Sequence, residues 1–333
     1  MAMKIAHIIL NEDDRMRVER VMRFLPDEFE HQFVTPAEIG SVAADLVHAH
    51  CWFGCGAAAR QVAAETHKPY LVEIVQDDLQ KYHKLLFFSR KTPENLLSDA
   101  ARVVFTAPVQ QNELAKRLPS KIADDVFAKS MLLYEPLPDF WLEQLHIHPP
   151  TALIDIKLLY VGPLTDDSRL GDLMHAMHKL HRRNYSVSLT VAEDVIVEGS
   201  YRKKMLREVN ENDFLRAVSV ESDEELREIY RHHDILWLPD ADTTKRYAEA
   251  LSQGLPVIYG HDSVADGIFK DGLAGYSVKV GSSDEIARSI LSISDFFGTI
   301  EQQIMRLHPL NLFDAREQAQ HWVHLYENAV LNA

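Results

Sequence analysis

The feature of this chain that most limits its fold is the regular alternation of short apolar segments with longer amphipathic ones. The short segments are rich in β-branched residues and apolar throughout, which indicates strands buried on both faces of parallel sheets. Helical patterns, such as residues 223–232 and 284–293, separate most of them. The first-half strands are "KIAHIIL", "DLVHAH", "YLVEIV", "RVVFTA" and "SMLLYEP"; the second-half strands are "IKLLYVG", "VSLTVA", "AVSV", "DILWLP", "LPVIYG" and "GYSVKV". Two such series predict an α/β protein of two Rossmann-like, doubly wound domains facing each other across a cleft.

The boundary between the two series falls in residues 134–155, "YEPLPDFWLEQLHIHPPTALID", where prolines cluster and the periodicity lapses. We therefore predict a first domain over residues 1–140 and a second over residues 152–310. In residues 311–333, the segment "FDAREQAQHWVHLYENAV" has the apolar stripe of a closing helix. Ligands of open α/β sheets bind beyond the carboxyl ends of the strands, so we expect functional residues directly after each strand.

Charge and composition disfavour several classes of protein. A formal net charge of −15 over 333 residues argues against nucleic acid as a partner, because a phosphate backbone requires a basic face. No apolar run approaches the ~20 residues of a membrane span. The N-terminal "MAMKIAHIILNEDD" is typical of a first strand rather than a signal peptide, and two cysteines argue against a disulfide framework. We therefore expect a cytoplasmic protein.

Three common catalytic fingerprints are missing from the sequence. It has no Gly-x-Ser-x-Gly elbow, no Walker A loop, and no Gly-x-Gly-x-x-Gly motif after a strand. Their absence argues against the usual hydrolases, NTPases and dehydrogenases.

The stretch "PDADTTKRYAEALSQGLPVIYG", residues 239–260, predicts a helix between two buried strands. Thr243 or Thr244 is a candidate N-cap, and the helix would run to Gln253 with Gly254 after it. The free N–H groups of its first turn and the helix dipole would form an anion site.

Charged side chains of this stretch extend the anion hypothesis. Lys245 and Arg246 place positive charge in an acidic protein, and Glu249 lies about 6–8 Å further along the helix. That distance suits a ribose hydroxyl when a diphosphate occupies the helix N-terminus. The alternative is that the threonines only cap, Glu249 is solvated and the cations lie on the surface.

The segment "VGPLTDDSRLGD" follows the first strand of the second domain. Gly162 would let a ligand approach the backbone closely, and Arg169 could bind a phosphate with both guanidinium nitrogens. The alternative is an ordinary strand–loop–helix junction, where a glycine and an arginine are common.

The segment "DLVHAHCWFGCG" contains the residues that best suggest a metal site. His48 and His50 point to the same side of a strand and two cysteines follow. However, Cys51 points to the opposite face from His50 in an extended chain, and no second ligand pair has a usual spacing. We therefore predict no metal site. His50, at the strand end, remains a candidate for a functional role or for a histidine bound only to backbone.

In "EIVQDDLQKYHK", Gln76, Asp77 and Asp78 come directly after another predicted strand. Adjacent carboxylates in a cleft perturb each other's pKa and can act as a base or bind sugar hydroxyls. The alternative is that they cap the next helix.

The second half of the chain resembles the retaining glycosyltransferases of the GT-B fold, in the large family four that builds bacterial surface polysaccharides. The resemblance rests on "SVESDEELREIYRHHDILWLPDADTTKRYAEALSQGLPVIYGHDSVADGIFKDGLAGYSVKVGSSDEIARSI". "ADLVHAH", "SDAARVVFTAPVQQNELAK" and "LLYEPLPDFW" are similar to first-domain segments of that family. The resemblance is strong over residues 156–293 and implies that the closing helix packs back on the first domain.

The family's donor-site residues transfer to this chain one at a time. The ribose-binding glutamate corresponds to Glu249. The diphosphate-binding helix N-terminus corresponds to Thr243, Thr244 and Lys245, where the family usually has a Phe-Gly pair.

Other family positions are changed. The earlier glutamate of the paired-glutamate motif corresponds to Ala241, flanked by Asp240 and Asp242. The arginine after the first strand's glycine is Pro163, and Arg169 would replace the lysine that follows it. "NEDDRMRVERV" stands where a glycine pair is expected.

The first-domain histidine that approaches the donor sugar corresponds to Gln76, followed by Asp77. The resemblance implies catalytic roles for Gln76 and Asp77, and Asp240 could replace the missing glutamate. We add His50 to the predicted catalytic residues because it lies at a strand end. The resemblance implies donor binding by Gly162, Arg169, Asp242, Thr243, Thr244, Lys245 and Glu249.

The implied activity is sugar transfer from a nucleotide-diphosphate sugar of the UDP or GDP type to a glycan or lipid-linked glycan acceptor. The anomeric configuration would be retained, and neither a cofactor nor a metal would be needed. The resemblance leaves open a peripheral contact with the inner membrane face or with a partner transferase. Two alternatives are a catalytically silent subunit that binds a sugar, nucleotide or transferase, and a sugar-nucleotide 2-epimerase.

Overall fold

The computed structural model describes residues 2–143, 146, 153–239, 244–306 and 309–331. The chain divides into two compact units. The first unit comprises Met1–Pro136 and Asn311–Ala333, and the second comprises Leu137–Leu310.

Each unit is built around a six-stranded parallel sheet. The strands of the first unit are β1 (Met3–Ile8), β2 (Phe29–Val34), β3 (Leu46–Ala49), β4 (Tyr70–Ile74), β5 (Arg102–Phe105) and β6 (Ser130–Leu132). Those of the second are β7 (Asp155–Val161), β8 (Ser186–Glu193), β9 (Leu215–Ser219), β10 (Ile235–Leu238), β11 (Val257–Gly260) and β12 (Gly275–Val278).

Helices connect the strands and cover the sheets. Those before β7 are α1 (Glu12–Met22), α2 (Trp52–Thr66), α3 (Gln76–Lys84), α4 (Lys91–Asp99), α5 (Pro108–Ala115), α6 (Ser120–Ala128) and α7 (Asp139–Leu142). Those after β7 are α8 (Leu170–His181), α9 (Ser200–Glu211), α10 (Asp223–Arg231), α11 (Lys245–Ser252), α12 (Ser283–Arg306), α13 (Pro309–Phe313) and α14 (Ala315–Leu331). The predicted α/β class with two Rossmann-like units is confirmed.

The strand orders are β2-β1-β3-β4-β5-β6 and β12-β11-β10-β7-β8-β9. Each order contains a point where the chain direction across the sheet reverses, between β1 and β3 in one unit and between β7 and β10 in the other. Such switch points are where open α/β sheets bind ligands. The loop after β7 and the carboxyl end of β10 therefore lie at the ligand-binding edge of the second sheet.

The sequence pattern predicted eleven of these strands and missed β2. In β2, "FEHQFV", only the terminal Phe29 and Val34 are buried. It is an edge strand that pairs with β1 alone. Because its inner residues are partly solvated, β2 lacks the continuous apolar character that identifies the central strands.

The two faces of the first sheet carry separate apolar cores. One face packs against α2 and α4 through residues such as Val47, Val72 and Trp52. The other packs against α1 and α14 through residues such as Leu46, Trp322 and Tyr326. The closing helix α14 is therefore part of the first unit, although the second unit precedes it in the chain.

Within the described residues, no helix is both long and apolar enough to cross a bilayer.

Candidate functional site

The loop after β7 is shaped by a glycine at its start. Gly162 has φ +145°, a conformation that residues with a side chain rarely adopt. A Cβ atom at this position would lie 3.0 Å from the Tyr160 hydroxyl, which donates a hydrogen bond to the Pro163 carbonyl at 2.8 Å. A side chain at this position is therefore strongly disfavoured, and its absence would let a ligand approach the backbone closely.

Arg169 ends the same loop in the left-handed conformation, with φ 49°. Its guanidinium lies 3.2 Å from the Asp172 carboxylate, and its side chain is 46% exposed. The Trp237 indole of β10 donates to the Ser168 carbonyl at 3.1 Å, which joins the loop to the neighbouring strand. Arg169 is thus held at the carboxyl edge of the sheet with much of its side chain still accessible.

Helix α11 begins at Lys245, as the sequence predicted to within a residue. Thr244 occupies the N-cap position but has helical φ and ψ, and its buried hydroxyl has no hydrogen-bond partner among the described residues. Thr244 is therefore the N-cap residue, as one of the two predicted candidates, but its side chain makes no capping hydrogen bond. Gly254, at φ +78°, follows the C-cap Gln253, which confirms the predicted glycine after the helix.

Glu249 is completely buried on the second turn of α11. Its Oε2 accepts hydrogen bonds from Arg246 Nη1 at 2.5 Å and from the Tyr230 hydroxyl at 3.2 Å. Its Oε1 lies 3.7 Å from Lys245 Nζ and has no hydrogen-bond partner within the described part of the chain. The alternative of a solvated Glu249 is wrong.

Arg246 also contacts the carboxylate of Asp194, the residue directly after β8. The structure thus joins an acid from the end of β8, a cation from α11 and Glu249, and we refer to Asp194, Arg246 and Glu249 as the acid–arginine cluster. Tyr230 from α10 completes its surroundings.

Burial controls the electrostatics of this cluster. Burial raises the pKa of Glu249, and the nearby charges of Arg246 and Lys245 oppose that shift. Burial also works against the charge on Arg246, but Tyr230, Glu249 and Asp194 keep its pKa above the ordinary value. The guanidinium therefore stays charged at neutral pH and anchors both acids.

The predicted second-unit residues fall into three groups. Lys245 and Glu249 are brought together, and Gly162 and Arg169 share the loop after β7. No hydrogen bond or ion pair between Arg169 and α11 is found in the described residues. Asp240, Asp242 and Thr243, together with Ala241, lie outside the described residues.

The predicted first-unit residues occupy different environments. His50 is 1% exposed, with Nε2 2.9 Å from His7 Nδ1 and Nδ1 3.1 Å from Glu73 Oε2. Both ring nitrogens are therefore engaged by side chains inside the unit, so the alternative of a ring bound only to backbone is wrong.

Gln76 and Asp77 form the first turn of α3. Gln76 is half-buried, whereas Asp77 is exposed and pairs with Lys81 at 2.6 Å. The buried Asp78 accepts backbone hydrogen bonds from Trp52, Phe53 and Val75 at 2.8–3.1 Å. The N-cap of α3 is Val75, so none of the three residues occupies the predicted N-cap position, although Asp78 accepts the Val75 N–H from the third helical position. The catalytic roles of Gln76 and Asp77 stay predictions.

Sequence reasoning missed Arg246 as the anchoring cation and missed Asp194 and Tyr230 altogether. The position of Asp194 directly after a predicted strand was a usable signal, because functional residues of α/β sheets cluster there. The choice between Lys245 and Arg246 had no such signal, because the orientation of α11 decides which one turns inward.

Comparison with known proteins adds an independent line of evidence. Residues 149–295 match the family model "Glycosyl transferases group 1". This segment is similar to a glycosyltransferase domain. The segment contains the loop after β7, the acid–arginine cluster and α11.

Solved structures of similar fold span the chain almost completely. Sucrose-phosphate synthase (tll1590) from Thermosynechococcus elongatus superimposes with a TM-score of 0.76 at 14% identity, covering 99% of this chain and 100% of that one. Anabaena Alr3699/HepE with UDP has a TM-score of 0.75 at 12% identity, covering 98% and 100%. The lipopolysaccharide outer core galactosyltransferase WaaB has a TM-score of 0.67 at 15% identity, covering 99% of each chain. No match was found among curated protein sequences.

Proposed function

We propose that this protein transfers a sugar from a nucleotide-diphosphate sugar to a glycan or lipid-linked glycan acceptor. The observation that carries the proposal is Glu249, whose carboxylate is buried and anchored by Arg246 through Oε2, while Oε1 has no hydrogen-bond partner in the described residues and lies 3.7 Å from Lys245 Nζ. A buried acceptor of this kind is costly unless a ligand donates to it. The two hydroxyls of a ribose are suitable donors.

The residues around Glu249 have complementary roles in this proposal. Lys245 and the start of α11, including Thr244 and the predicted Thr243, bind the diphosphate by charge and by backbone N–H groups. Arg169 adds a second cation, and Gly162 leaves room for the ligand beside the backbone. Helix dipole and cations thereby stabilise the departing diphosphate without a metal.

The predicted donor type is supported by what similar proteins bind. HepE has been solved with UDP, with UDP-glucose, and with UDP and glucose. We propose that this chain also uses a nucleotide-sugar donor of the UDP or GDP type. The family resemblance implies that the anomeric configuration of the sugar is retained. His50 has no role in the transfer step of this proposal, since both of its ring nitrogens are engaged.

We also propose that the protein works in the cytoplasm, at the inner face of the membrane. The support is the connection between α3 and α4, where Leu86, Phe87 and Phe88 are 63%, 87% and 79% exposed. The exposed Lys84 and Lys91 flank these three side chains. Adjacent aromatic and cationic side chains suit an anionic lipid surface.

The donor proposal is tested by measuring the melting temperature of the protein with a panel of UDP- and GDP-sugars, together with slow release of the diphosphate. We expect one nucleotide series to stabilise the fold and to be hydrolysed slowly without acceptor. Glu249→Gln removes the charge at constant size and should weaken donor binding about 10-fold or more, because hydrogen bonds to charged groups contribute about 1.5–3 kcal/mol. Glu198→Gln changes an exposed glutamate of the same unit and should leave binding unchanged.

The other outcomes distinguish the alternatives. If the protein binds a nucleotide-sugar but neither hydrolyses it nor transfers the sugar to added glycan acceptors, it is a catalytically silent subunit. Interconversion of the free nucleotide-sugar identifies an epimerase. Equal donor affinity of the wild type and Glu249→Gln contradicts the role assigned to Glu249.

A further inference from the structure

Three buried histidines lie together on the α14 face of the first sheet. His7 belongs to β1, His48 to β3, and His50 follows β3 directly. They are 0%, 0% and 1% exposed, and each offers one ring nitrogen within 4.8 Å of those of the other two. In the sheet, His7 pairs with His48, at the switch point between β1 and β3.

The second nitrogen of each ring is held by a different partner. His50 Nδ1 lies 3.1 Å from Glu73 Oε2, and His48 Nδ1 lies 3.2 Å from the Tyr326 hydroxyl. His7 Nε2 lies 2.9 Å from Nδ1 of His31. These contacts orient the rings and leave His7 Nδ1, His48 Nε2 and His50 Nε2 as the inner nitrogens.

The inner nitrogens do not fully satisfy one another. His7 Nδ1 and His50 Nε2 are 2.9 Å apart, so one can donate to the other. His48 Nε2 is buried and has no hydrogen-bond partner within the described residues. An unpaired buried nitrogen is costly, so the cluster lacks one partner for the third ring.

We propose that His7, His48 and His50 form a binding site for a divalent transition-metal ion of the zinc type. Imidazole nitrogens suit Zn²⁺, and bonds of about 2.0–2.1 Å in a tetrahedral arrangement place ligand nitrogens about 3.3 Å apart. The His7–His50 separation of 2.9 Å is close to this distance, and the ligand nitrogens of all three residues lie within 4.8 Å of one another. In this proposal the rings shift to bring all three nitrogens onto one ion.

The outer contacts are compatible with metal binding. With an ion bound, each neutral ring would carry its one N–H on the outer nitrogen and donate it to the Glu73 carboxylate from His50, to the Tyr326 oxygen from His48 and to His31 Nδ1 from His7. This is the usual arrangement of ligating histidines, in which the outer contact fixes the tautomer. Arg17 donates to the same Glu73 oxygen at 2.7 Å, which keeps that carboxylate ionised beside His50.

Burial supports the neutral state of two rings. Burial lowers the pKa of both His7 and His48 well below the ordinary value. A neutral imidazole is the form that binds a metal. The site lies within the first unit, so it is separate from the donor site proposed around Glu249, and the sugar transfer itself stays independent of metal.

The consequence of metal binding is stability of the first unit. The ion would join β1 to β3, and through His48 and Tyr326 it would fix α14 on the sheet. Because the three nitrogens converge only in the folded chain, binding energy becomes folding energy.

The test uses the full chain without an affinity tag, stripped of metal by a chelator and then titrated with Zn²⁺ and with Co²⁺. We expect one ion per chain, a melting temperature raised by about 4 °C or more at saturation, and intense visible cobalt bands of a tetrahedral site. Tyr326→Phe keeps the ligands but removes an outer contact, and should weaken binding about 10-fold or more. His233→Gln, a partly buried histidine of the other unit, should bind as the wild type does.

His48→Gln removes one ligand and should abolish both the cobalt bands and the Zn²⁺-induced stabilisation. Circular dichroism checks that this variant folds, and the wild-type cobalt spectrum decides the question if it does not. The proposal fails if the stripped wild type binds no ion, if the cobalt spectrum is that of an octahedral aquo-like ion, or if a folded His48→Gln protein binds as tightly as the wild type.

Discussion

Two neighbouring cations of α11 have different environments despite identical formal charge. Arg246 has a side chain 20% exposed and contacts two acids, whereas Lys245 is 38% exposed and lies 3.7 Å from one of them. In sequence both are simply cations before Glu249. At the residue scale, the structure therefore distinguishes a cation that contacts both acids of the site from a more exposed cation that pairs with one of them.

This difference predicts unequal effects on stability. Arg246→Met leaves Glu249 and Asp194 without their shared cation, and we expect the free energy of unfolding to fall by about 3 kcal/mol, as when one partner of a buried ion pair is removed. Lys245→Met removes a more exposed charge and should cost less than about 1 kcal/mol. Urea unfolding of the two variants measures both values, and equal losses would contradict the anchoring role of Arg246.

The same residue scale shows where prediction from sequence stops. Glu249 was identifiable because its motif and its place on a helix between two buried strands are local properties. Tyr230, which donates to Glu249, comes from α10, and Asp194, which pairs with Arg246, follows β8, so their convergence depends on the packing of distant segments. The histidine cluster has the same origin, because His7 joins His48 and His50 only when β1 and β3 pair.

At the scale of elements, continuous apolar runs identified eleven strands and the glycine after α11 identified its end. The missed β2 is partly solvated, so its composition does not distinguish it from a loop. Helix capping was less predictable, since Thr244 has the residue type of a cap but its hydroxyl is turned into the unit without a partner among the described residues. Buried strands can be identified from amino-acid composition, because burial requires apolar residues. Whether a residue caps a helix depends instead on the orientation of its single side chain.

Two glycines of the second unit should respond to alanine in opposite ways. Gly275 begins β12 at φ +146°, and a Cβ atom there would lie 1.8 Å from the Val257 carbonyl oxygen of β11. Gly275→Ala must separate the two strands, and we expect a loss of about 2 kcal/mol or more. Gly171 lies in α8 with no atom within 4 Å of its added Cβ, so Gly171→Ala should stabilise by about 0.5–1 kcal/mol. Urea midpoints of the two variants test this pair, and a shift of the same sign in both would contradict it.

At the scale of the whole molecule, charge distribution decides how an acidic protein can approach an anionic membrane. A protein with a net charge of −15 is repelled by such a surface, so its attachment requires a local patch of cationic and apolar side chains. The connection between α3 and α4 is such a place: Leu86, Phe87 and Phe88 project into solvent between Lys84 and Lys91. The guanidinium of Arg90 lies over the Tyr82 ring at 5.0 Å, and that ring is buried in the unit. The contact between Arg90 and Tyr82 thus anchors the segment that carries the exposed side chains to the first unit.

This arrangement predicts binding to vesicles of phosphatidylglycerol and phosphatidylcholine, and weaker binding to phosphatidylcholine alone or at high salt, because the lysine contribution is screened. Replacing Phe87 and Phe88 together by serine should lower the vesicle-bound fraction about 10-fold or more, since each buried aromatic side chain contributes about 1.5–3 kcal/mol. Phe296→Ser is the matched control, because Phe296 is 59% exposed in the second unit with no such cationic flanks in the described residues. Vesicle flotation measures all three proteins, and equal flotation of the wild type and the Phe87/Phe88 double variant would show that this segment does not dock on lipid.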